Sequence, residues 1–258
     1  MTRVSVIVVA YGRYEVLDEC LSSCERAAAL VPDGAELIVV DNGSLAELIR
    51  EKHPGARLIE PGHNVGFAGG VSRAVAQAHG LWIALVNDDA VIDRDALVRL
   101  IDTGEHEAQI GSVAAQVRFH ADRGRVNSAG IVVDSLGVAT ERLAGRPVAD
   151  ADEACETFGA SGCFALYRMA MLREIGGIDE RFFAYLEDVD LAWRARAAGW
   201  SCVYEPRAIA YHRGSASSGE GSERKYFLVG RNRVRLLARN ATAAQLLLAL
   251  PGIVLYDT

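Results

Sequence analysis

Leu81–Trp82–Ile83–Ala84–Leu85–Val86 is an unbroken apolar run that stops abruptly at Asn87–Asp88–Asp89. A short apolar run closed by polar residues reads as a strand buried on both faces. The chain offers the same figure upstream. Val4–Ser5–Val6–Ile7–Val8–Val9–Ala10 predicts a first buried strand, followed by a helical stretch over 16–30. Residues 36–40 predict a second strand, ending at Asp41–Asn42–Gly43–Ser44, where a turn and a helix start are signalled. Residues 57–60 read as a third short strand and 67–79 as a helix. Alternating strands and helices imply an α/β fold with a mostly parallel sheet flanked by helices. Ligands in such sheets bind beyond the carboxyl ends of the strands. Asp41, Asn64 and Asp88 all fall at such ends or in the loops that follow them.

The second half is less regular. Residues 126–140 alternate apolar and small residues around Gly130 and Gly137, which suggests a hairpin, and 145–156 form a polar loop. Residues 158–167 read as a strand interrupted by Gly159 and Gly162, where a ligand or a second backbone can approach closely. A helix is expected from Asp188 to about Gly199, then short strands over 201–204 and 208–211. No repeat or linker divides the chain, so a single mixed domain with a C-terminal appendage is expected. Its working boundaries are 1–222, with a nucleotide-binding half over 1–118 and an acceptor half over 119–222, and a basic, apolar helical segment over 223–258.

Of the 258 residues, 50% are hydrophobic, enough for a large core, and the net charge of -7 argues against nucleic-acid binding. Met1–Thr2–Arg3 and the short apolar run after it do not make a signal peptide. Five cysteines, an odd number, then point to reduced thiols and a cytoplasmic location. Cys20 and Cys24 sit four apart on a predicted helix, a spacing that suits packing and lacks a second half-site for zinc.

Two acidic clusters carry the chemistry. Asn87–Asp88–Asp89 follows a strand, and side chains two apart on extended backbone project to one side, so Asn87 and Asp89 can address one hard cation. Mg²⁺ or Mn²⁺ takes oxygen ligands and is completed by substrate phosphates and waters. His212, after a predicted strand and before a Gly/Ser-rich loop, is a candidate second ligand. The other cluster, Glu187–Asp188–Val189–Asp190, gathers three carboxylates at a predicted helix start. One reading is capping and macrodipole compensation; the other is a base that takes a proton from a neutral hydroxyl. The glycine-rich stretch His63–Asn64–Val65–Gly66–Phe67–Ala68–Gly69–Gly70 is compatible with anion capture by helix-start amides or with close packing of helix on sheet. It lacks the G-x-G-x-x-G fingerprint and the P-loop lysine.

Six segments in order resemble family 2 glycosyltransferases, inverting nucleotide-sugar enzymes of GT-A fold, and within them the rhamnosyltransferase-like branch. They are Ser5–Val6–Ile7–Val8–Val9–Ala10–Tyr11, Val39–Val40–Asp41–Asn42–Gly43–Ser44, Asn64–Val65–Gly66–Phe67–Ala68–Gly69–Gly70, Asn87–Asp88–Asp89, Gly176–Gly177–Ile178–Asp179–Glu180–Arg181–Phe182–Phe183 and Glu187–Asp188–Val189–Asp190–Leu191. The resemblance spans roughly residues 3–235 and implies a set of roles. Ala10, Tyr11, Arg13 and Asp41 would line the nucleobase and ribose pocket, with Asn64, Gly66 and Arg73 bordering the nucleotide sugar. Asp89 and His212 would bind Mg²⁺ or Mn²⁺, with Asn87 and Asp88 on the donor. Asp188 would be the general base, supported by Glu187, Asp190, Trp193 and Arg194. Asn87 departs from the Asp that many relatives carry there; an amide oxygen can ligate a cation but brings no charge.

Residues 224–239 carry six basic residues and no acid on a helix-compatible pattern, and the apolar stretch 243–256 is too short to span a bilayer. Two readings stand side by side: peripheral attachment to the anionic inner face of a plasma membrane, or a helix packed across the domain with its arginines on acidic loops or donor phosphates. The resemblance implies sugar transfer, with rhamnose as one option. The donor would be a nucleotide diphosphate sugar, the acceptor a hydroxyl of a glycan or lipid-linked saccharide in cell-surface polysaccharide synthesis. A homodimer is left open. The rivals are a nucleotidyltransferase-like enzyme, which leaves Asp188 unexplained, and an inactive GT-A-fold binding protein, for which Asn87 is the sole hint.

Overall fold

The computed structural model describes residues 2–134, 137–214 and 222–247. The first half follows the expected alternation: β1 (Val4–Ala10), α1 (Tyr14–Ala28), β2 (Ala35–Asp41), α2 (Ala46–Lys52), β3 (Arg57–Ile59), α3 (Gly66–Val75) and β4 (Trp82–Asn87). Next come β5 (Ala90–Ile92), α4 (Ala96–Glu105), β6 (Ile110–Phe119), β7 (Val126–Ser128), β8 (Ile131–Val133), β9 (Ala139–Glu141) and β10 (Cys155–Thr157). The chain then forms β11 (Phe164–Arg168), α5 (Met169–Ile175), α6 (Glu187–Ala197), β12 (Ser201–His212) and α7 (Glu223–Asn240).

One large mixed sheet runs β10-β12-β6-β11-β4-β1-β2-β3, with β5 added to β12 and β7 to β6. β1 pairs in parallel with β2 on one side and β4 on the other, and β2 with β3. The chain therefore moves outward from β1 through β2 to β3, then returns to the opposite side of β1. That reversal opens a crevice between the carboxyl ends of β1 and β4, the usual ligand position in such sheets. β11 enters antiparallel to both β4 and β6, and β6 runs parallel to β12.

Both faces of the sheet are covered, which is why its central strands read as unbroken apolar runs. Val4, Val6 and Val8 pack with Leu17, Leu21, Leu97 and Leu100 on the α1/α4 face. Ile7 and Val9 pack with Val71, Leu191 and Tyr204 on the other. A third cluster of Ala68, Ile131, Phe182, Val189 and Leu236 joins α3, the β8–β9 hairpin, α6 and α7. α7 thus lies against the domain. Among the described residues no helix is long and apolar enough to cross a membrane.

The second half departs from the sequence reading in four places. β6 was not anticipated: Ile110–Gly111–Ser112–Val113–Ala114–Ala115–Gln116 mixes small and polar residues, yet lies buried in mid-sheet. The strand expected over 158–167 is only its last part, β11, and 158–163 form a loop. The two strands expected after residue 200 are one, β12, bent by a register shift between Glu205 and Ile209 around Pro206. The hairpin expected over 126–140 is β8–β9 alone, while β7 pairs with β6. The cysteines are free thiols, with Cys20 and Cys24 buried on α1.

Candidate active site

The donor-side residues gather at the β1–β4 reversal. Ala10 stands opposite Asp41 in register, and Val9 opposite Asn87. The Tyr11 N–H donates to Asp88 Oδ2 at 2.7 Å, a bond that crosses the crevice. Burial pushes Asp88 up to about 6, with this amide working against the shift and Asp89 adding to it. Tyr11 and Arg13 are exposed at the crevice rim. Asp41 is buried, and its two oxygens accept from the Gly43 and Leu45 N–H groups, so it shapes the turn into α2.

The glycine-rich segment behaves differently from an anion cradle. The Gly66 N–H donates to Asn64 Oδ1, the Val65 N–H to Asn42 Oδ1, and the Ala68 N–H to the Phe183 carbonyl. Three amides at the start of α3 are therefore engaged within the protein. The glycines serve close approach. A Cβ on Gly66 would sit 2.3 Å from the Phe183 carbonyl oxygen, and one on Gly70 2.7 Å from Val9 Cγ1. Gly66 also has φ +76, which a side chain would strain. Arg73 reaches the Gly69 carbonyl and Glu180.

β4 ends at Asn87 and the chain turns through Asp88–Asp89 before β5. The alternation argued for Asn87 and Asp89 on extended backbone does not hold across that turn. Asp89 instead faces His212, with Nε2 to Oδ1 at 3.0 Å and both side chains nearly buried. Their meeting follows from strand register: His212 pairs with Ala90 across β12–β5, and the Arg213 N–H continues the ladder to the Asp89 carbonyl. The other ring nitrogen, Nδ1, lies 3.0 Å from Asn127 Oδ1, the kind of outer partner that fixes a metal-binding imidazole. Burial works against a charged ring here, but Cys163 and the Asp89 carboxylate outweigh it and hold His212 well above its ordinary value. Among the described residues no three His, Cys, Asp or Glu side chains cluster as a self-sufficient metal cage. One carboxylate and one imidazole at the crevice mouth would fit a cation completed by substrate phosphate oxygens and water, with His212 giving up its proton as the metal binds.

The acceptor-side acids open α6. Just before them the backbone takes left-handed conformations at Phe183, Tyr185 and Leu186, with φ of +66, +74 and +64. For non-glycine residues such values store strain that surrounding structure must hold. α7 holds it: Asn232 Nδ2 donates to the carbonyls of Phe182, Ala184 and Tyr185 at 2.9, 2.8 and 2.7 Å. Arg231 reaches the Phe182 carbonyl, and Arg235 the Arg181 carbonyl.

The three acids then separate by environment. Asp190 is fully buried, bound by Arg194 at 2.8 Å and Asn240 at 2.8 Å, with Arg239 at 3.4 Å. Arg194 also caps the Ile175 and Gly177 carbonyls, so this pair ties α5, α6 and α7 together. Trp193 stacks edge-on to Phe158 at 5.7 Å. Glu187 is buried, and among the described residues its Oε2 has no hydrogen-bond partner. Burial, and then the adjacent Asp188 charge, raises its pKa far above the carboxylate range. Asp188 is half-buried, with Oδ2 accepting from the Gly162 N–H at 2.9 Å and Oδ1 from the Val189 N–H at 2.8 Å. Burial raises it as well, opposed by those amides.

Ser161–Gly162–Cys163 stitches the two sides. Ser161 Oγ donates to Glu141, the Gly162 N–H donates to Asp188, and the Cys163 carbonyl accepts from the Asn87 N–H at 2.8 Å. Asn127, Glu141, Ser161 and Asn232 were not anticipated as site residues. Each is a single polar residue without a motif around it, and only the fold brings it to the site.

A sheet that reverses between β1 and β4, with acids at the crevice and at the head of α6, defines a GT-A glycosyltransferase. The model of the family described as "Glycosyl transferase family 2" matches residues 5–176, and the chain belongs to that family. Among curated proteins it is 26% identical over 250 residues to the N-acetylglucosaminyl-diphospho-decaprenol L-rhamnosyltransferase of Mycobacterium tuberculosis strain H37Rv, covering 83% of this chain and 77% of that protein. It is 22% identical to the poly-beta-1,6-N-acetyl-D-glucosamine synthase of Staphylococcus aureus strain COL, covering 81% of this chain and 49% of the synthase. Among solved structures it superposes on GalNAc-T7 with UDP, GalNAc and Mn²⁺ at TM-score 0.71 and 13% identity, over 92% of this chain and 48% of that one. The mannosyltransferase PcManGT of Pyrobaculum calidifontis, in complex with GDP-Man and Mn²⁺, gives TM-score 0.64 at 20% identity, over 92% of this chain and 63% of that one. The chain thus spans about half the length of the synthase and of GalNAc-T7.

Proposed function

We propose that this family 2 glycosyltransferase is an inverting enzyme. It would move a sugar from a nucleotide diphosphate donor to a hydroxyl of a glycan or lipid-linked acceptor in cell-surface polysaccharide synthesis. One observation carries the reading: Gly162 and Cys163, successive residues, bind the Asp188 carboxylate and the Asn87 N–H at the end of β4, two residues before Asp89. In this reading one dipeptide ties the base to the segment that carries the cation site. Asp188 takes the proton of the acceptor hydroxyl as its oxygen bonds to the anomeric carbon, and the bond from that carbon to the diphosphate oxygen breaks. The proton stays on Asp188 and the electron pair leaves with the diphosphate. Asp89 and His212 would hold Mg²⁺ or Mn²⁺, which supplies positive charge for the departing phosphate oxygens. Attack opposite the leaving group with a single base inverts the anomeric centre, unlike the paired-carboxylate design of glycoside hydrolysis.

Support for the substrates comes from the relatives: a rhamnosyltransferase with a lipid-diphosphate acceptor, and Mn²⁺ with UDP or GDP-Man in the structural neighbours. Ala10, Tyr11, Asp41 and Asp88 border the nucleotide in this reading. The test is a thermal-shift panel of nucleotide sugars with and without Mn²⁺. One nucleoside diphosphate class at a hundredfold excess over Kd should stabilise by about 2.7 kcal/mol, roughly 5–10 °C. Stabilisation by a reduced dinucleotide alone would overturn the reading.

Of the two roles expected for the basic segment, packing across the domain accounts for Arg231, Arg235 and Arg239. What α7 presents outward is Tyr226 and Phe227, 69% and 67% exposed, and this pair supports a proposed peripheral contact with a lipid surface. Co-sedimentation with anionic vesicles should drop for Phe227→Ser; equal binding of both proteins removes the contact. The segment beyond residue 247, and the Gly/Ser-rich loop from residue 215, lie outside the described residues.

A further inference from the structure

Glu141 is an acid the proposed chemistry does not use. It ends β9, opposite Ile131 in the hairpin register. Ser161 Oγ donates to Oε1 at 3.0 Å and Ser128 Oγ to Oε2. Both serines are buried, and each adjoins a residue already in the site. Ser161 precedes Gly162, which holds Asp188; Ser128 follows Asn127, which holds His212. Two dipeptides, Asn127–Ser128 of β7 and Ser161–Gly162 of the 158–163 loop, thus link Glu141 to both the proposed base and the cation pair. Its carboxyl feels both, Asp188 pushing it up and His212 pulling it down, while burial drives it up to about 7. The two serines hold the carboxyl group, and the residue as a whole is exposed to solvent.

An anchor for the hairpin would not need a charge here. An amide could meet both serines and would escape the repulsion of Asp188. An ionised carboxylate offers about four acceptor positions, and the serines occupy two. In the reading given above, the diphosphate lies toward His212 and the attacking hydroxyl toward Asp188, so the sugar in transit lies between them. We propose that Glu141 is a sugar-binding residue of this site, accepting hydrogen bonds from hydroxyls of the transferred sugar. It acts as a specificity determinant for the donor sugar, separate from the nucleotide contacts at the crevice. This inference rests on the cleft being a nucleotide-sugar site.

The experiment is calorimetric titration, with Mn²⁺, of wild type and Glu141→Gln. The probes are the nucleotide sugar that stabilises the wild type in the panel, and the matching nucleoside diphosphate. Gln keeps both serine contacts and removes the charge. The nucleotide sugar should weaken about tenfold, the size lost with a charged hydrogen bond, while the diphosphate stays within about twofold. Equal weakening of both probes, or of neither, overturns the assignment. Should Glu141→Gln fail to melt like the wild type, Glu141→Asp, which withdraws the carboxylate by one methylene, must show the same selective loss, and equal effects on both probes overturn the assignment there too. If no nucleotide sugar binds the wild type, the glycosyl-transfer reading falls and Glu141 with it. If the wild type binds and the variants discriminate as it does, Glu141 alone falls.

Discussion

Two pairs of adjacent acids, Asp88–Asp89 after β4 and Glu187–Asp188 at the head of α6, form the two walls of the proposed cleft and are partnered differently. The first pair is divided. Asp88 takes an amide from Tyr11 on the neighbouring strand, and Asp89 faces an imidazole held in the charged state. The second pair is left together: Asp188 accepts from backbone amides, and among the described residues Glu187 Oε2 has no hydrogen-bond partner. Asp89 has an imidazole beside it, whereas burial next to Asp188 makes Glu187 hold a proton. In the proposed reaction the first wall would meet positive charge, and the second would receive a proton.

The comparison breaks most sharply at Asp188. Asp188→Asn keeps the Gly162 contact available but cannot take a proton, and transfer should fall by about a thousandfold, within the range for a lost general base. Calorimetric titration of nucleoside diphosphate should meanwhile remain near wild type; wild-type turnover would remove Asp188 from its role. Asp89→Ala tests the other wall. Metal-dependent binding of nucleoside diphosphate should weaken by about a hundredfold, scaled from the loss of one member of a buried charged pair. An unchanged Mn²⁺ titration would move the cation elsewhere.

The smallest effect concerns Glu187. Its carboxyl is raised from 4.5 to about 8, so the folded protein binds more protons than the unfolded chain between those values. Stability from this group must then fall as pH rises through that window. In the metal-free protein Glu187→Gln should flatten the decline in Tm between pH 5 and 8. Parallel curves for variant and wild type would mean that Glu187 ionises freely. A steeper decline in the variant would reverse the sign assigned to it.

The two walls also differ in how far the sequence discloses them. β1, β2 and β4 are apolar runs ended by polar residues, and their parallel pairing follows from the helices between them. The Asp88–Asp89 wall could therefore be placed at strand ends from local pattern alone. Its partner His212 was expected from the family resemblance, but the β12–β5 register that brings it to Asp89 is a long-range pairing. The opposite wall resisted. β6 hides behind small and polar residues because its burial comes from neighbouring strands. β12 looks like two strands because Pro206 and the bend interrupt one. Glu141 stands in a polar stretch, and nothing near it distinguishes it from a surface residue. The glycine-rich segment carried the opposite risk, since its wording suggested anion capture where Gly66 and Gly70 provide clearance.

The grip of Asn232 on the 182–185 carbonyls has a consequence for the order of assembly. The β1–β4 crevice forms through contacts made within the first ninety residues, and its cation pair is complete at His212, before α7 begins. The left-handed turns ahead of Asp188 depend on a side chain some fifty positions later in the chain. Nucleotide binding and sugar transfer should consequently be acquired in sequence during folding, the second only after α7 has docked. A molecule whose α7 has been displaced would be an enzyme arrested halfway, able to hold its donor and unable to use it.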